Sequence, residues 1–260
     1  MSQLARARGK RSFDVIGDIA ILDASSISQG KKRAREILSQ NHHVKTVFMK
    51  KGGHTGKYRL QKLSWLAGEH RSETIHKEWG LEYKLDVQSC YFSPRSSTER
   101  MRISNLVRAG EHVLVMFSGV GPFALAIAKH TNACSVTGIE LNPACHGYAQ
   151  ENAGRNKLAV RFILGSANIA PALGVCFDRV IMPLPASSTR YLRSAIASIG
   201  KSGVLHIYVF CREGFFEKKA ARVLTLCERF KKNCRILAIA RGSQAAPRTY
   251  RICIDIQIGS

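Results

Sequence analysis

The chain has 260 residues, 45% of them apolar, which is enough for a packed core and too many for wholesale disorder. Forty Lys and Arg against 18 Asp and Glu leave a net charge of +22, an excess that points to a polyanion, nucleic acid ahead of a membrane surface. No apolar run approaches the roughly 18 residues a membrane span needs, and the basic start MSQLARARGKRS runs into Asp14 and Asp18 rather than a signal-peptide core.

Residues 1–12 read as a disordered basic tail. Residues 13–90 read as a small α+β domain. Its strands are FDVIGDIAIL (13–22), VKTVFMKK (44–51) and YKLDVQSCYF (83–92), with one basic helix at 29–40 and a glycine- and lysine-rich loop, KGGHTGK, at 51–57. The remainder, 91–260, forms the larger domain, in which strands and helices alternate as in a parallel α/β sheet from about residue 100. HVLVMF precedes a helix at 122–130, SVTGIEL a helix at 143–155, FDRVIMPLP a helix near 187–198, and GVLHIYVF a long helix at 214–232. VRFILGSA stands between the second and third pairs, and CRILAIAR and YRICIDIQI close the chain. Two successive strands without a crossover helix make an antiparallel hairpin. The eight cysteines, with no C-x-x-C pair, lie mostly in apolar stretches and read as reduced core residues of a cytoplasmic protein. The nine histidines show no metal-ligand spacing, so no metal is expected.

A parallel sheet ending in an antiparallel hairpin is the arrangement of class I S-adenosylmethionine-dependent methyltransferases, a Rossmann-like fold that a plain dinucleotide-binding domain does not share. The turn Gly119-Val-Gly121-Pro-Phe-Ala124 follows a strand and opens a helix. Glu140 ends the next strand, where a carboxylate can accept from ribose hydroxyls. Pro122 removes an amide that a pyrophosphate would use. Adenosylmethionine carries a ribose and no phosphate, so it fits this turn better than a nicotinamide dinucleotide does.

YFSPRSSTER (91–100), FSGVGPF (117–123), GIELNP (138–143), ENAGRNK (151–157) and DRVIMPLPASS (178–188) occur in this order, with IGDIAIL (16–22) and LAGEHRSETIHKEWGLEYKLDV (66–87) before or among them. Together they resemble the archaeal and eukaryotic-type tRNA (guanine-37 N1)-methyltransferase family. The resemblance implies a class I catalytic domain fused to a small RNA-contacting domain, acting as a monomer on the anticodon region of tRNA. It makes Glu99 the general base for the N1 proton and Arg59 the partner of O6. It places Arg100, Phe117, Gly119, Gly121, Glu140, Leu141, Ser166, Ala167 and Pro183 around S-adenosylmethionine. Tyr91 borders the extruded base, and Arg95, Lys31, Lys32 and Arg33 contact phosphate. From the residues alone, Glu99 reads as a solvated loop glutamate and Arg59 as one more basic-patch arginine, while Tyr91 reads equally as a core strand aromatic.

Three positions depart from the family pattern. Val115 stands where an acid is usual near the end of the first strand, Ser166 where the adenine turn has Asp, and Pro183 where the N-L-P motif has Asn. Two alternatives follow. One is a wybutosine-pathway enzyme that transfers a methyl or an aminocarboxypropyl group; the other is a tRNA-binding paralogue with little or no catalysis.

Overall fold

A computed structural model of the chain describes residues 13–259, so the expected tail at 1–12 lies outside the described residues. Two compact units emerge: residues up to 76 with 85–94, and residues 77–84 with 95–260. The sequence reading divides the chain at 90 instead. The difference is the short excursion 77–84, whose backbone the second unit holds. Asn152 and Asn156 accept from the amides of Lys84 and Glu82 at 2.7 and 2.9 Å.

In the first unit, β1 (Asp14–Ile16) and β2 (Ile19–Leu22) form a hairpin about Gly17. Its φ of +57° and the 2.1 Å that would separate a Cβ from Thr74 Oγ1 admit only glycine. Helix α1 (Ile27–Gln40) starts two residues before the expected helix because Ser26 caps it, accepting from the Gln29 amide at 3.2 Å. It leads to β3 (Thr46–Thr55), parallel to β2, and β4 (Leu60–Gly68) returns antiparallel. Ala34 and Ile37 of α1 pack on Val47, Met49 and Leu66. The expected loop 51–57 is largely strand: β3 runs to Thr55, opposite Leu60, and only 56–59 turn. Strands β5 (Glu73–Glu78) and β6 (Leu81–Asp86) form a two-stranded sheet. The strand expected to reach residue 92 stops at Asp86, whose carboxylate accepts from the amides of Gln88 (2.7 Å) and Ser89 (3.3 Å) and turns the chain.

The second unit opens with α2 (Ser97–Leu106), a helix absent from the sequence reading. Then come β7 (His112–Met116), α3 (Pro122–His130), β8 (Ser135–Glu140), α4 (Pro143–Arg155), β9 (Arg161–Leu164) and β10 (Phe177–Met182). A 3₁₀ turn and α5 (Leu192–Ser198) occupy the expected helix near 187–198. The chain ends with β11 (Ile199–Arg212), α6 (Phe216–Glu228), β12 (Asn233–Ala246) and β13 (Thr249–Gly259). The sheet order is β12-β13-β11-β10-β7-β8-β9, parallel throughout except β13, which runs antiparallel between β11 and β12. This is the Rossmann-like class I arrangement with its closing hairpin. One face carries Leu114, Met116, Leu205, Ile207 and Ile254, with Ala195 and Ile196 of α5 and Ala220 and Val223 of α6 in the same core. On the other, Val113, Val115 and Ile181 pack with Ile103 of α2 and Phe123 and Ile127 of α3.

Candidate active site

Strand β7 has β8 on one side and β10 on the other, so the strand order reverses there, and in open α/β sheets ligands bind beyond the carboxyl ends at such a reversal. The chain leaves β7 through Phe117, held at φ +56°, a left-handed conformation that a non-glycine residue adopts only under constraint. Its ring meets Tyr191 edge-on, with centroids 4.9 Å apart. Gly119 then donates its amide to Glu140 Oε2 at 2.7 Å, and the Asn142 amide donates to Oε1 at 2.7 Å. Burial raises the proton affinity of Glu140, against backbone donors at Asn142, Gly119 and Leu141 that favour the anion. The Gly119 and Asn142 amides hold one oxygen each, so the carboxylate is oriented and keeps acceptor capacity for a ribose hydroxyl.

Gly165 donates to the Glu140 carbonyl at 2.8 Å, which brings the Ser166–Ala167 turn beside it. Ser166 caps the following 3₁₀ turn, its hydroxyl accepting from the Asn168 amide, so it has a local role where an Asp is usual. Ser118, inside the glycine turn, is buried, and its hydroxyl has no hydrogen-bond partner among the described residues. Gly121 is explained differently from the expectation of ligand approach. A Cβ there would lie 2.9 Å from the Phe162 ring and 3.1 Å from Leu125, so its missing side chain makes room for protein. Pro183 follows β10 half-buried. Val115 is fully buried among Ile103, Phe123 and Ile181, in the apolar core.

Glu99 lies in the first turn of α2 and is 8% exposed, which overturns the solvated-loop reading. Arg102 grips its carboxylate with two bonds of 2.8 Å, Nε to Oε2 and Nη2 to Oε1, and the Tyr208 hydroxyl donates to Oε1 at 2.6 Å. Arg100, expected at the cofactor, is 2% exposed, and its Nε and Nη2 each donate to Glu78 at 2.6 Å. Arg95, in the turn before α2, is exposed.

A buried chain of charges continues from Glu99 across the sheet. Arg102 Nη1 donates to Asp255 Oδ2 at 2.7 Å, and His206 Nδ1 lies 2.6 Å from Asp255 Oδ1. Arg179 Nη1 lies 2.6 Å from His206 Nε2, while its Nε and Nη2 grip Glu111 at 2.6 and 2.8 Å. A guanidinium only donates, so Nε2 accepts, Nδ1 carries the proton, and His206 is a neutral donor to Asp255. Burial also pushes His206 below its ordinary value. His206, Cys253 and Asp255 place ligand atoms within 4.8 Å of one another. Their own hydrogen bonds account for that closeness, and the guanidinium groups of Arg102 and Arg179 repel a cation there. A cleft of about 720 Å³ lined by Glu111, Arg179, His206 and Asp255 lies at the opposite ends of the strands from Glu140.

In the first unit, Arg59 sits at the exposed tip between β3 and β4, at φ +55°. Tyr91 is 50% exposed, which rules out the core reading. Lys31 and Lys32 are exposed on α1, whereas Arg33 donates to the Asp23 carbonyl at 3.0 Å. Sequence reasoning missed Arg102, Tyr208 and Asp255. The signal was present as polar residues at every second position, His206 and Tyr208 in β11 and Arg251, Cys253 and Asp255 in β13, within otherwise apolar strands.

The TRM5/TYW2 methyltransferase domain matches residues 74–237. The chain belongs to the TRM5/TYW2 methyltransferase family. The TYW2 N-terminal domain matches residues 2–71. Within the family, the chain is 38% identical over 256 residues to the tRNA (guanine(37)-N(1))-methyltransferase Trm5b of Pyrococcus abyssi, covering 95% of this chain and 74% of that protein. It is 32% identical over 210 residues to the tRNA 4-demethylwyosine(37)-methyltransferase Taw21 of Saccharolobus solfataricus, covering 76% of this chain and 77% of that one. A solved complex of aTrm5 and tRNALeu superposes with a TM-score of 0.84 at 33% identity, over 96% of this chain and 72% of that chain. No helix among the described residues is long and apolar enough to cross a membrane.

Proposed function

We propose that this chain transfers a methyl group from S-adenosylmethionine to N1 of guanosine 37 in tRNA. The reading takes it as a cytoplasmic monomer acting on the anticodon region without a metal. One observation carries it: the carboxylate that the resemblance makes the base, Glu99, is buried on α2 and held in one orientation by Arg102 and Tyr208. Guanosine N1 holds its proton at neutral pH, so transfer needs a fixed acceptor within hydrogen-bond reach.

When bound, S-adenosylmethionine supplies an electrophilic methyl on a sulfonium. The chain's own residues fit it. Glu140 retains acceptor capacity for a ribose hydroxyl, the Ser166–Ala167 turn flanks the adenine, and the buried Ser118 hydroxyl is left for a polar group of the ligand. Glu99 removes the N1 proton and Arg59 offsets the charge that grows on O6. Tyr91 offers its exposed ring to the unstacked base. Lys31, Lys32 and Arg95 hold phosphates and carry no sequence information.

Mass spectrometry of nucleosides from tRNA incubated with the chain and S-adenosylmethionine tests this. 1-Methylguanosine at position 37 is expected, and an aminocarboxypropyl adduct or an unmodified guanosine overturns it. A second reading, methylation of a tricyclic guanosine derivative, has two observations in its favour. One is the TYW2 N-terminal match over 2–71; the other is Pro183, which removes the Asn of the guanosine-methylating motif. The same digest, on tRNA that carries the tricyclic base, separates the two.

A further inference from the structure

We infer that Asp255 and Tyr208 are positioning residues for Glu99, and that together they leave Oε2 as the oxygen that receives the N1 proton. The inference rests on Glu99 being the base. A carboxylate offers about four acceptor positions, two on each oxygen. Oε1 is filled by Arg102 Nη2 and the Tyr208 hydroxyl, whereas among the described residues Oε2 accepts only from Arg102 Nε. The one open position is on Oε2.

Arg102 is shared. Its Nη1 donates to Asp255 Oδ2 at 2.7 Å and its Nη2 lies 3.4 Å from Oδ1, so the guanidinium plane that holds Glu99 is fixed from its far side. Its charge is therefore divided between two anions, Glu99 and Asp255. Asp255 is fixed in turn by His206 Nδ1–H and by the Cys253 thiol at 3.2 Å. His206 takes that tautomer because Arg179 donates to its other nitrogen.

The groups facing Glu99 from each packed element are Arg102 on α2, Tyr208 and His206 on β11, and Arg251, Cys253 and Asp255 on β13. Burial raises the Tyr208 hydroxyl and the Cys253 thiol well above their ordinary values, so both stay protonated donors across the working range. Arg251 lies 5.2 Å from the Tyr208 ring centroid and bonds Ser96 at 2.8 Å, which holds the phenol in place.

A purely structural ion chain would also be buried and bonded, so the test must read the base itself. It is the single-turnover methylation rate of the full chain on tRNA as a function of pH, with S-adenosylmethionine binding measured by calorimetry. Asp255→Asn puts the whole Arg102 charge on Glu99, and the acid limb moves to lower pH by about one unit as the plateau rate falls about tenfold. Tyr208→Phe removes a donor to the anion and opens Oε1, and the acid limb moves to higher pH. Binding is unchanged in both. Melting temperatures that fall while both acid limbs stay at the wild-type pH overturn the inference. Where Asp255→Asn fails to fold, Tyr208→Phe, which loses one hydroxyl, decides alone. Glu99→Gln is measured alongside. A wild-type rate there defeats the base itself, whereas a lost rate with unmoved limbs in the other two variants defeats only the positioning.

Discussion

Strands β11 and β13 each face two ways, and their two sides differ. Leu205, Ile207 and Val209 alternate with His206 and Tyr208 along β11, and Ile252, Ile254 and Ile256 alternate with Arg251, Cys253 and Asp255 along β13. The first set joins the apolar core under α5 and α6. The second builds the ionic chain that ends on Glu99. Because successive side chains point to opposite faces, the same stretch of backbone serves cohesion on one side and a buried ionic network on the other. Buried charge contributes little net stability and costs heavily when one partner is lost. Its concentration on one face marks where this protein spends stability on geometry.

The largest test of that contrast is Glu99→Gln, which keeps shape but accepts no proton. The single-turnover rate should fall about 10²–10⁴-fold, with both ligands still bound. A rate that stays near wild type while chemistry is shown to limit would falsify the assignment of the chemical face. Next comes the apolar face. Ile254→Ala should lower unfolding free energy by about 2–5 kcal/mol and leave the pH profile of methyl transfer where it was. A displaced acid limb would mean that the two faces are coupled.

Glu140→Ala removes the acceptor that the Gly119 amide orients. It should weaken S-adenosylmethionine by about 1–3 kcal/mol in calorimetry and leave tRNA affinity intact. Normal cofactor binding would assign the glycine turn to another ligand. The smallest effect is on the pH dependence of stability. For Asp255, burial acts against the anion, yet hydrogen bonds from His206 and Arg102 hold the carboxyl well below its ordinary range. Its contribution is therefore present above about pH 4 and is lost as pH falls toward the folded value. His206, pushed down by burial, likewise contributes above about pH 6.5, and this is lost below that as the unfolded state takes up a proton. Urea midpoints should decline as pH falls below about 6.5 in all three variants, in parallel for wild type and Ile254→Ala throughout, and below about pH 4 less steeply for Asp255→Asn. Parallel lines for all three variants would remove Asp255 from the account.

The Rossmann-like order was legible because each strand-turn-helix unit of a parallel sheet carries its own local signals, apolar run, glycine turn and capping residue. The glycine turn was legible for the same reason: Gly119 and Glu140, which hydrogen-bond at 2.7 Å, lie at a separation that the strand-helix-strand repeat imposes. α2 was not. Its sequence STERMRISNL interleaves charge and apolar groups without a clear stripe, and it becomes a helix because Ile103 and Ser104 are buried. The Arg100–Glu78 pair was not legible either, because Glu78 lies 22 residues earlier in a strand that carries no clear alternation.

By itself the sequence determined the basic charge, the alternation of elements, the closing hairpin and the residues whose spacing along the chain carries a meaning. Only the tertiary structure decided which polar groups share a surface. Asp255 stands 153 residues from Arg102, and Tyr208 stands 109 from Glu99. No local rule links positions so far apart. They meet because the sheet brings β11 and β13 into register beneath α2, and the desolvated charges there persist only where each finds its partner.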